Sequence, residues 1–135
     1  MNKKEALQIL AVLRASYPSE YMNLSAEAAQ GVVSVWSMQF ADVPADIVLM
    51  ALNKAVSVNH KTPSIAEVKD KMSTVHWEAY EMLQRNYSTK ALSDEEFACY
   101  KRIYEETRRY KFKNKAEPSI GNMLSGKKEV KQLGG

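Results

Sequence analysis

The 135-residue chain holds one cysteine, five glycines and four prolines, and no apolar run approaches the ~20 residues that a membrane-spanning helix requires. A lone Cys99 cannot build an internal disulfide framework. With only His60 and His76 beside it, no zinc-type ligand spacing exists. The glycines form no GxGxxG, GxxxxGK[ST] or GxSxG motif, so the common nucleotide-binding and acyl-transfer signatures are missing. Near the start, Ala6, Leu7, Ile9, Leu10 and Leu13 are spaced for a helix and interrupted by Gln8 and Arg14. They do not form the continuous apolar run of a secretion signal. These absences lead to the expectation of a soluble, cytoplasmic protein that is not an enzyme, binds no metal and uses no cofactor.

No stretch alternates apolar and polar residues long enough to make a strand, and the apolar spacing is 3 and 4 nearly throughout. The fold class expected is all-α: a compact bundle of about five helices over residues 1–111, followed by a flexible basic tail over residues 112–135. The first helix is expected over residues 2–16, with Asn2 as N-cap and Glu5 three residues on as a capping box, and Pro18 as its stop. A second runs from Ser25 to about residue 41 and presents Ala29, Val32, Val33, Trp36 and Phe40 on one side. Gly31 in its middle costs ~1 kcal/mol relative to alanine and suits a close approach by a neighbouring helix. Pro44 fits the first turn of a third helix, whose Ile47, Val48, Ala51, Leu52, Ala55 and Val56 form a wide buried face.

Ser64-Ile65-Ala66-Glu67 is a full capping box opening a fourth helix. Along it Ile65, Val68, Met72, Val75, Ala79 and Met82 make a narrow seam suited to one partner helix. Ser93-Asp94-Glu95-Glu96 opens a fifth, with Leu92 and Phe97 as a hydrophobic staple, and Phe97, Tyr100, Ile103, Tyr104 and Tyr110 turned inward before the helix fades near Lys111. His76 and His60 read as ordinary surface or partly buried histidines, and Cys99 as a small buried apolar residue.

The last 24 residues, 112–135, hold four of the five glycines and one of the twelve aromatics, Phe112. Charge divides along the chain as well: residues 1–107 carry 11 Lys or Arg against 14 Asp or Glu, and residues 108–135 carry 8 against 2. Arg108, Arg109, Lys111, Lys113 and Lys115 around Tyr110 and Phe112 are a mixture that can follow phosphates and stack on bases. The first three belong to a helix end, where positive charge is favoured by the helix dipole. Residues 112–135 then keep five lysines against two glutamates, which weakens the reading as a nucleic-acid arm. Pro118-Ser119-Ile120-Gly121-Asn122-Met123-Leu124 places Ile120, Met123 and Leu124 at i, i+3 and i+4, the anchor spacing of a short helix docking in a groove, with Ser119 able to cap it. The candidate partner-binding residues are therefore Phe112, Lys113, Lys115, Ile120, Met123, Leu124, Lys127 and Lys128.

Lys4-Glu5-Ala6 through Ile9-Leu10 to Ala15-Ser16-Tyr17-Pro18, then Trp36 and Phe40, then the stretch from Val48 to Ala55, then Pro63-Ser64-Ile65-Ala66-Glu67-Val68-Lys69, form an ordered set of motifs. Together they resemble the phage replicative helicase loader and inhibitor family, small helical proteins of phages of Gram-positive bacteria. The resemblance covers about residues 3–72. It implies a non-enzymatic protein that binds the ring-shaped hexameric replicative helicase in its ATP-bound form, holds it inactive and delivers it to an initiator protein at the phage origin. It also implies a folded N-terminal portion and a poorly ordered C-terminal portion that grips the helicase. The well-capped, aromatic last helix departs from that picture and shortens the poorly ordered part. The alternative, from another class, is a small DNA-binding accessory protein using its basic C-terminal tail on phosphates.

Overall fold

A computed structural model describes residues 1–110, and the segment from residue 111 onward lies outside the described residues. Among the described residues there are six α-helices, one 3-10 turn and no strand: α1 (Lys3–Ser16), α2 (Pro18–Tyr21), α3 (Ala26–Gln39), α4 (Ala45–Val56), α5 (Ile65–Thr89), α6 (Asp94–Glu106) and the turn Arg108–Tyr110. The all-α expectation holds, with one short helix added. Pro18 does not merely end α1; it occupies the first turn of α2, where its missing N–H is not needed. Pro44 sits one residue earlier than expected, as the N-cap of α4 rather than inside its first turn.

The helix starts are set by local chemistry. Asn2 Oδ1 accepts from the Glu5 N–H at 2.8 Å while Glu5 Oε1 accepts from the Asn2 N–H at 2.9 Å. The same reciprocal pair joins Ser64 to Glu67 and Ser93 to Glu96. Each box satisfies two of the backbone donors that a helix start leaves without an intrahelical partner.

Contacts gather into two compact units, Met1–Met72 and one beginning at Ser73, so α5 starts in the first and continues in the second. In the first unit α1 packs on α3, α2 and α4. Its interior is apolar: Ile9, Leu13, Phe40, Val43, Ile47, Val48, Leu52, Val68 and Met72 are fully buried. Burying a side chain of this size contributes roughly 1.5–3 kcal/mol each, which is where the stability of such a unit resides. The loop over residues 57–64 is tied down by two phenols. Tyr17 donates to the Asn59 carbonyl at 3.0 Å, and the hydroxyls of Tyr21 and Thr62 lie 2.9 Å apart. Burial raises the Tyr17 phenol above its ordinary pKa, with nearby Glu20, Glu67 and Tyr21 pushing the same way. The Met1 ammonium donates to the Ala41 and Val43 carbonyls, both at 3.0 Å, just past the end of α3.

Gly31 departs from its expected role. It is exposed, and a Cβ built there meets nothing within 4 Å, so no helix of the described chain closes on it.

The second unit has an aromatic interior. His76 stacks on Tyr104 with ring centroids 4.7 Å apart, and Trp77 and Tyr80 meet edge to face at 5.4 Å. Ser73 donates its hydroxyl to the Tyr110 carbonyl, fastening the 3-10 turn to α5. The buried positions of α5 are broader than a seam, since Ser73, His76, Tyr80 and Leu83 are buried along with Val68, Met72, Val75 and Ala79.

Candidate partner-binding surfaces

The residues with the chemistry to catalyse are dispersed or committed elsewhere. His76 is fully buried rather than at the surface or partly buried as expected, and its Nδ1 lies 3.0 Å from the Thr107 hydroxyl. That hydroxyl donates to the Ile103 carbonyl at 2.6 Å, so its oxygen accepts and His76 donates through Nδ1. The ring is a structural member of the aromatic interior. His60 is exposed in the loop between α4 and α5. Cys99 is exposed on α6 and not the buried apolar residue its composition suggested: the aromatic face of α6 turns inward through Ile103 and Tyr104, one turn on, and leaves position 99 outside. Among the described residues no group of three or more His, Cys, Asp or Glu could hold a metal ion, and no helix is long and apolar enough to cross a membrane.

The basic residues flanking the end of α6 are engaged with aromatic rings. The Arg108 guanidinium lies 5.7 Å from the centroid of Tyr104, and that of Arg109 5.4 Å from Tyr110. Cation–π contacts of this kind fit the assignment of both arginines to a helix end. The eight candidate partner-binding residues, Phe112, Lys113, Lys115, Ile120, Met123, Leu124, Lys127 and Lys128, all lie outside the described residues.

Sequence reasoning missed a second surface, on the first unit. Lys3, Lys4, Leu7 and Leu10 of α1 and Ala29, Gln30, Val33 and Ser34 of α3 line a groove of about 370 Å³. Its floor is the edge of a small buried cluster, Ala6, Leu10 and Val33, against which Met1, Tyr21, Leu24, Ala29 and Val32 pack. Leu7, on its wall, is 54% exposed, a large apolar side chain left in water beside two lysines. Helical spacing counted Leu7 among the apolar residues of α1, but only the packing of α3 reveals that it falls outside the buried stripe of Ala6, Ile9, Leu10 and Leu13. Farther along α3, Val35 and Met38 are also exposed, at 47% and 71%.

Set against known protein families, residues 1–69 match the one described as the N-terminal domain of the phage helicase loader and inhibitor, which is just over half of the chain. No curated protein and no solved structure matches the chain.

Proposed function

The chain belongs to the family of phage helicase loaders and inhibitors, proteins associated with a replicative helicase, and from that membership we propose that it is a non-enzymatic replication accessory protein. It binds the hexameric replicative helicase in its ATP-bound form, holds it inactive and delivers it to an origin-bound initiator in the host cytoplasm. Residues 1–111 act as the helical domain, and residues 112–135 supply the helicase contact. The observation that carries this reading is the family match over residues 1–69, with the composition break at residue 112 indicating where the contact lies.

In this reading Ile120, Met123 and Leu124 enter an apolar groove of the helicase. Phe112 joins them at the start of the segment, and Lys113, Lys115, Lys127 and Lys128 meet carboxylates around the groove. Apolar anchors supply most of the affinity of such contacts, and rim charges mainly speed encounter and fix orientation. Replacing Ile120, Met123 and Leu124 together by Ser is expected to abolish co-elution with the helicase while leaving helix content by circular dichroism unchanged. Co-elution of that variant at wild-type level would refute the assignment of the anchors.

A further inference from the structure

The geometry points to a second docking site on the first unit: the α1–α3 groove takes an amphipathic helix of a partner protein, apolar along one side and carrying carboxylates at the end that meets Lys3 and Lys4. The site is separate from residues 112–135 and does not rest on the assignment of the helicase contact to them.

Three features fix the chemistry of the occupant. The groove is walled by two helices whose backbone groups are already hydrogen-bonded within themselves, so it offers no strand edge for an extended peptide. An occupant must satisfy its own backbone, which an α-helix does, and the helix-in-groove mode follows. The middle of the groove is apolar, with Leu7 half in water and Leu10 and Val33 beneath, which calls for aliphatic side chains at helical spacing. At its rim stand Lys3 and Lys4 in the first turn of α1, where positive charge runs against the helix dipole. Neither forms an ion pair among the described residues. Carboxylates arriving there meet two cations and the positive end of a helix together.

The same charges argue against the chain's own C-terminal segment as occupant, because residues 112–135 carry five lysines against two glutamates. At about 370 Å³ the groove falls near the lower end of ligand clefts, roughly 300–1,000 Å³, a size for a few anchoring side chains rather than for a large interface. The contact is accordingly weak and exchangeable, suited to a partner met in passing.

The test is a titration of the isotopically labelled full chain, followed by amide chemical shifts. The probe is a synthetic capped helical peptide with Leu at i, i+3, i+4 and i+7 and two Glu at one end; the control is the same peptide with Lys in place of both Glu. Expected are saturable shifts centred on Leu7, Gln30 and Val33, with binding at least about tenfold weaker for the Lys peptide, a difference that a few charge-assisted contacts can supply. The double variant Lys3→Glu and Lys4→Glu, checked for an unchanged melting temperature, should reverse that preference. A second variant, Leu7→Asp, should remove the shifts for both peptides. Absence of shifts on α1 and α3, or equal binding of the two peptides, would overturn the proposal. It would also fall if deleting residues 112–135 shifts the same amides without peptide, which would make the chain's own tail the occupant. Shifts that grow with protein concentration alone would instead mean a second copy and would overturn it too.

Discussion

Glu67 is the residue on which the turn before α5 converges. Its Oε1 accepts from the Ser64 N–H at 2.8 Å and its Oε2 from the Asn59 side-chain amide at 3.0 Å, while its own N–H donates to Ser64 Oγ at 3.1 Å. The backbone hydrogen bond from Ser64, followed by that from Asn59, holds its carboxyl below the ordinary glutamate value. A carboxylate whose folded pKa is lowered contributes stability above its unfolded pKa and loses it as the pH falls through the folded value. Glu67→Gln is therefore expected to unfold at lower urea than wild type at pH 7, and the gap to close as the pH drops beneath about 4.3. A gap independent of pH would show that the charge is not what matters. Thr107 has the corresponding role in the second unit, its buried hydroxyl standing between His76 and the Ile103 carbonyl. Thr107→Val keeps the shape and removes the acceptor, which should cost about 1–3 kcal/mol in calorimetric unfolding, the usual range for a buried polar group deprived of its partner. No measurable loss would mean that His76 finds an equal partner elsewhere.

Helix starts were legible because a capping box is a local signal. Asn2 with Glu5, Ser64 with Glu67 and Ser93 with Glu96 need only four residues each, and all three form as read. What a helix face meets is not local, and there the reading of spacing fell short. His76 and Tyr80 are buried because α6 supplies Tyr104 against them, and Cys99 is exposed because α6 spends its inward positions on Ile103 and Tyr104. Leu7 likewise could not be placed on a groove wall before α3 was in position. Gly31 shows the same limit from the other side, since its cost to α3 was legible but its surroundings were not. With open space where a Cβ would go, Gly31→Ala should raise stability by ~0.5–1 kcal/mol and the melting temperature with it. A lower melting temperature by scanning calorimetry would mean that something closes on α3 at that point after all.

At the level of the whole molecule, two kinds of sequence share one chain. Residues 1–69 carry the family match and fold around an apolar interior, whereas residues 112–135 hold most of the glycine, almost no aromatic residues and an excess of lysine. The first kind positions surfaces through packing and the second offers side chains along a short stretch, so a loader that must hold and then release a ring can divide those tasks between them. The anchors in the second kind were found by their i, i+3, i+4 spacing alone, and they lie outside the described residues. The most direct test of that division is size-exclusion chromatography with a hexameric replicative helicase and ATP, comparing the full chain with one ending at Lys111. The full chain is expected to co-elute with the helicase, and the shortened chain, with its helix content retained, to elute alone. Equal co-elution of the two, or none with either, would contradict the account.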